Sequence, residues 1–146
     1  MSIIKFTEQQ IANQSKNNLS AYIILTIAYL KENNQSVDDW LTFIGNKFVK
    51  DWPSDHTSLE KLAEGIILNN LSAGAKLVSY SQEDGIIEII LTDWPSKIEL
   101  EFYKISWEDS QLIHNVLKPV FHKLAVNYTW RIIENKQVKI ELSQLK

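Results

Sequence analysis

The chain has 146 residues, 45% of them hydrophobic and 23% charged, with a net charge of −3 at pH 7 and no cysteine. Such a composition suits a single folded domain with a sizeable core. It excludes disulfides, thiolate metal sites and thiol nucleophiles, and it argues against nucleic-acid binding, which needs a concentrated basic surface.

The start, Met1-Ser2-Ile3-Ile4-Lys5, lacks the charged start followed by an apolar run that marks a signal peptide. The most apolar stretch, 21–30, is about half the length a bilayer span requires. The expectation is a soluble cytoplasmic protein with no membrane span.

Residues 7–31 read as helix, with a break at Asn17-Asn18. The stretch LSAYIILTIAYL (19–30) is apolar nearly all round, which predicts a central helix or one covered by a second subunit. Ser36 offers an N-cap for a second helix, and Asp38 and Asp39 suit its positive end. Val37, Trp40, Leu41, Ile44 and Phe48 then recur on one face, with Gly45 placed to permit a close helix contact. Thr57-Ser58-Leu59-Glu60 matches a capping box and opens a third helix, which Gly74 ends.

The period then changes. Residues 76–82, 86–92 and 98–103 read as three strands, with Asp84-Gly85 as a tight turn between the first two. Ser106 caps a long helix over 107–127, and Pro119 is expected to kink it from its outer side. Residues 128–134 and 137–142 flank Asn135-Lys136 as a closing hairpin. The predicted fold is therefore α+β, a four- to five-stranded antiparallel sheet with helices on one face. Its other face carries Glu99, Glu101, Lys139 and Glu141 to water. Single-domain organisation spans 1–146: helices over 7–74, hairpin and third strand over 76–103, helix over 107–127, hairpin over 128–142.

The tetrapeptide DWPS occurs twice, at 51–54 and 93–96. One copy ends a helical run, the other a strand, and their flanks do not align. Local punctuation explains both, because a duplicated unit would carry its periodicity along.

Chemistry-bearing patterns are sparse. His114 and His122 share a predicted helix but lie eight residues apart, whereas metal-binding pairs sit four apart on one face. His114 borders the apolar stripe and His122 points outward. His56 follows Asp55 in a loop, where neighbours rarely aim at one reacting atom. No Gly-x-Ser-x-Gly elbow or glycine-rich phosphate cradle is present. No metal site is expected, and the cofactor is left unknown.

Aromatics are abundant instead: Trp40, Trp52, Trp94, Trp107 and Trp130, with Tyr22, Tyr29, Tyr80, Tyr103 and Tyr128. Such side chains combine apolar area with a polar tip and serve cores, interfaces and ligand pockets alike.

The order of elements over 18–142 resembles the fold of TRAPP-type trafficking subunits and of the bacterial 4-vinyl-reductase, or hydrocarbon-binding, domain. Leu112–Asn127 followed by Tyr128–Leu142 carries the likeness best. Many of those bacterial domains hold cysteines near the last hairpin; this chain has none, so a metal or redox function there does not transfer. The resemblance implies a helix-covered antiparallel sheet, frequently dimeric, with an apolar pocket between helices and sheet.

Three functions are expected from these residues. The first is a non-catalytic domain, homodimeric through 19–30, binding an apolar or aromatic small molecule among Tyr80, Tyr103, His114 and Trp130. The second is a protein-interaction or assembly subunit whose aromatics meet a protein partner. The third is a small enzyme with His114 as acid or base and Tyr103 or Tyr128 as hydrogen-bond donor.

Overall fold

Residues 84–85 and 135–136 close two hairpins from which the sheet is built. Asp84 and Gly85 have φ of 50° and 77°, and Asn135 and Lys136 have 59° and 55°. Two left-handed residues in succession make the turn whose twist matches paired strands. The computed structural model of the chain describes residues 4–51 and 58–145. Its strands are β1 (Lys76–Glu83), β2 (Ile86–Thr92), β3 (Val126–Ile133) and β4 (Gln137–Gln144). They form one antiparallel four-stranded sheet in the order β1-β2-β4-β3.

Register divides this sheet cleanly into two faces. Ile87, Ile89 and Leu91 on β2 and Val138, Ile140 and Leu142 on β4 are all buried on the inner face. Each such side chain contributes about 1.5–3 kcal/mol on leaving water. On the outer face, Lys139 pairs with Glu88 and lies 3.8 Å from Glu141, whose other neighbour is Arg131 at 3.9 Å. The fold is α+β, with helices covering the inner face only.

Three helices precede the sheet: α1 (Glu8–Glu32), α2 (Val37–Asp51) and α3 (Leu59–Ala73). Thr7 opens α1 with a full capping box to Gln10. No break occurs at Asn17-Asn18. Gln9 donates to Asn13 and Gln14 to Asn18, one turn apart, so these amides bond each other instead of competing for the backbone. Nor is α1 central: Ser20, Ile24 and Ile27 are buried, while Tyr22, Leu25 and Tyr29 remain 72%, 45% and 59% exposed.

Ser36 caps α2 through the Asp39 amide, as read from the sequence. For α3 the capping residue is Ser58, which accepts from the Lys61 amide; Glu60 instead accepts a hydrogen bond from Gln82 on β1. Gly74 ends α3 with φ of 111°, where a side chain would be strained. Trp52, His56, Thr57 and the end of the first DWPS lie outside the described residues.

The sequence reading fails at 98–103. That stretch is a helix, α4 (Lys97–Tyr103), and not a third strand. Ser96 and Glu99 form a reciprocal capping box, with Lys97 and Glu101 one turn apart. Ile98 and Phe102 share the outer side, 78% and 77% exposed, while Leu100 and Tyr103 pack inward. Glu99 and Glu101 therefore sit on this helix and not on the sheet. The second DWPS closes β2 and, through Ser96, starts α4. The element order on which the family resemblance was read thus differs here.

The long helix predicted over 107–127 is also divided. It consists of α5 (Trp107–Ser110), a 3₁₀ segment (Gln111–Leu117) and α6 (Lys118–Lys123). Ser106 caps α5 as expected. Pro119 occupies the first turn of α6, where its missing N–H costs nothing. It does not kink a helix from outside but packs against α2 at Gly45.

The main core lies between the sheet, α3 and the 3₁₀–α6 region, with Leu62, Ile66, Trp107 and Phe121 among its members. Phe121 stacks on Tyr128 at 4.8 Å between ring centres. On the far side of the 3₁₀ segment, Ile27 of α1 and Val37 and Leu41 of α2 form a second cluster with Leu112, Ile113 and Val116. Among the described residues no helix is long and apolar enough to cross a membrane.

Candidate functional site

Helix α2 rests on the 3₁₀ segment, whereas α3 rests on the sheet, and the two leave a gap between them. The gap is a cavity of about 680 Å³. Leu19 and Ile23 of α1, Trp40, Ile44 and Phe48 of α2, and Leu62 of α3 supply apolar walls. Trp94 and, from the 3₁₀ segment, Ile113, His114, Val116 and Leu117 complete them. Lys61, Gly65, Asn69 and Ser72 border it along one side of α3, where Lys61, Asn69 and Ser72 are exposed and make a polar rim. Among the described residues, Lys61 is the one charged side chain lining it.

The 3₁₀ segment decides what polar group the interior receives. At three residues per turn, positions three apart line up along one edge. Gln111, His114 and Leu117 are accordingly its buried residues. His114 is 5% exposed, and its Nε2 lies 3.3 Å from Gln111 Oε1. Burial pushes its pKa down to about 4, because a charged imidazole would lose its hydration there, so the ring is neutral near pH 7.

Neighbours hold this histidine from three directions. Gln111 Nε2 donates to the Trp94 carbonyl at 2.9 Å and to Ser110 Oγ at 3.0 Å. Trp130 packs a tilted ring at 5.4 Å, and its indole N–H donates to Asn115, which in turn donates to Asp38 on α2. The Tyr128 hydroxyl donates to the His114 carbonyl at 2.8 Å, and burial pushes its pKa up. Trp94, whose own indole N–H donates to Ser20 on α1, ties the cavity wall to the first helix.

Of the four residues assigned to a pocket from the sequence, only His114 lines this cavity. Trp130 stands behind His114 and supports it. Tyr80 and Trp130 share the sheet's inner face in the single row Tyr80–Ile89–Ile140–Trp130, but at opposite edges. Three strand spacings separate them, about 14 Å. Tyr103 packs in the cluster of Ile24, Ala75 and Trp94, edge-on to Phe102. Neither Tyr103 nor Tyr128 lines the cavity beside His114, and the Tyr128 hydroxyl is committed to the His114 backbone carbonyl.

Sequence reasoning missed Leu19, Ile23, Trp40, Ile44, Phe48 and Trp94 as walls, taking the α2 residues for core. One signal was present. Lys61, Gly65, Asn69 and Ser72 recur at helical spacing, a polar stripe with a mid-helix glycine beside the apolar one. Among the described residues no group of three or more His, Asp or Glu is placed to hold a metal ion. No family model, no curated protein and no solved structure matches this chain, so the cavity's meaning rests on its own geometry.

Proposed function

We propose that this chain binds an apolar small molecule in the cavity between α2 and α3, without chemistry of its own. The observation that carries this reading is a hollow of about 680 Å³ walled by aliphatic and indole side chains. Small-molecule sites commonly measure about 300–1,000 Å³ and combine apolar walls with few polar groups. An apolar cleft of this size filled only by water leaves its walls without the close dispersion contacts that an apolar ligand would supply.

Gly65 adds to the case. A glycine inside a helix costs about 1 kcal/mol relative to alanine. Yet a Cβ at Gly65 would meet nothing within 4 Å, so packing does not require glycine here. Its bareness keeps the cavity wide.

Titration with the apolar dye Nile red tests the proposal. Wild-type protein is expected to bind one dye saturably, and Gly65→Trp, which fills the space, to bind at least about tenfold more weakly, a loss of about 1.4 kcal/mol. Far-UV circular dichroism and Tm of the variant should match the wild type or exceed it. Equal affinity in a folded Gly65→Trp variant overturns the assignment of the cavity.

A second reading, a homodimer through α1, is favoured by the exposed row Tyr22, Leu25 and Tyr29. Their i, i+3, i+7 spacing can pair with its own copy across a two-fold axis. Sedimentation equilibrium at micromolar concentration should return the mass of two chains, and Tyr22→Lys should return one. A stable wild-type monomer removes this reading.

A further inference from the structure

If the cavity takes an apolar molecule, as proposed above, its buried histidine also specifies that molecule's head group; the assignment rests on the cavity reading. The Trp94 carbonyl can only accept, so the Gln111 atom 2.9 Å from it must be the amide nitrogen. Ser110 agrees: its hydroxyl donates to the Trp107 carbonyl at 2.5 Å and so accepts from the same nitrogen. Gln111 therefore presents its Oε1 to His114. A bare Nε2 facing that oxygen would oppose two lone pairs, so Nε2 carries the proton and donates.

The other ring nitrogen is then determined. Neutral imidazole with its proton on Nε2 has a lone pair at Nδ1. Among the described residues Nδ1 makes no hydrogen bond. Leaving a buried acceptor unpaired costs about 1–3 kcal/mol. His114 is buried, lines the cavity, and has Trp130 tilted beside its ring and Gln111 at its Nε2.

We infer that the ligand is an apolar molecule bearing one hydroxyl or phenol, whose O–H donates to His114 Nδ1. A carboxylate head is disfavoured at this position, because its oxygens only accept and the neutral imidazole offers them no second proton. A carboxylate would go instead to Lys61 at the rim. A rival donor is a water. The small void bounded by Asn70, Trp94, Gln111 and His114 measures about 10 Å³, at the lower limit for one molecule.

Competition against Nile red separates these outcomes, using decanol, its methyl ether and decanoate near neutral pH. The three share a tail and differ in the head. Decanol is expected to displace the dye about tenfold more strongly than either of the others, and in His114→Phe the alcohol-to-ether ratio should fall to about one. Nitrogen NMR of the wild type gives an independent readout: the unprotonated Nδ1 resonance should move upfield with decanol and stay in place with the ether. Equal displacement by alcohol and ether, as a resident water would give, overturns the inference and leaves the cavity reading intact. Tightest binding by decanoate overturns it in favour of Lys61. Failure of all three to displace the dye removes the cavity reading itself.

Discussion

Gly45→Ala is expected to destabilise the protein by about 2 kcal/mol, although alanine is the better helix former. A Cβ at this position in α2 would lie 2.3 Å from the Val116 carbonyl oxygen and 2.9 Å from Pro119 Cγ. Real Cβ atoms do not approach a backbone oxygen so closely. Neither neighbour can move aside by turning a side chain, since one is backbone of the 3₁₀ segment and the other a proline ring. Relief requires separating α2 from the 3₁₀–α6 region, where Val37 and Leu41 pack with Val116.

Overpacking of this kind costs about 1–3 kcal/mol and occasionally more, against a gain of up to about 1 kcal/mol in helix propensity. Urea denaturation reads the difference as a lower midpoint at unchanged slope. Gly65→Ala supplies the control. Its added Cβ meets nothing, so the same substitution should raise the midpoint. A Gly45→Ala protein more stable than the wild type would show that α2 does not sit this close to Val116.

The second large effect is a loss of stability with falling pH. The folded pKa of His114 is about 4, below the ordinary histidine value of 6.5. Above about pH 6.5 both folded and unfolded chains hold a neutral ring, and stability is fully present. Between about 6.5 and 4 the unfolded chain takes up a proton that the folded chain refuses, so stability falls. Below about 4 both are protonated and the decline ends. A shift of this size corresponds to about 3 kcal/mol.

Carboxylates also titrate in the lower part of that window, so the comparison must be made against His114→Phe. The stability difference between wild type and variant should change by about 3 kcal/mol from about pH 7 to about pH 4, the carboxylate contribution cancelling. Parallel curves would mean that the imidazole is hydrated in the folded state.

Local signals carried the sequence reading wherever one residue's conformation was at stake. Asp84-Gly85 and Asn135-Lys136 close hairpins with two left-handed positions in succession, which Gly, Asn and Asp adopt most readily. Ser36, Gly74 and Ser106 mark helix ends because their chemistry acts within one turn. The misreading of 98–103 arose where two periods coincide over a short span. Ile98, Leu100 and Phe102 alternate as in a strand, yet Ser96 and Glu99 already spelled the capping box that starts α4.

The candidate site was legible only at His114, whose place beside the apolar stripe of its own segment is a local property. That the segment winds as 3₁₀, aligning Gln111 with His114, was not apparent from residue types. Tyr80 and Trp130 lie on strands, as read from the sequence, and the register puts both on the helix-facing side. Their separation follows from the order β1-β2-β4-β3, which no periodicity within either strand can reveal.

By itself, then, the sequence determined the α+β class, the two hairpins, most helix ends, the bare position at Gly45 on α2 and the place of His114 at the border of an apolar stripe. Each depends on dihedral preference, capping or side-chain period within a few neighbouring residues. Tertiary structure alone decided that α2 and α3 rest on different supports and diverge, that Trp40, Ile44 and Phe48 face a hollow, and that Trp130 stands behind the histidine. A cavity is a place where distant segments fail to meet, and the distance between segments is not encoded in the spacing within any one of them.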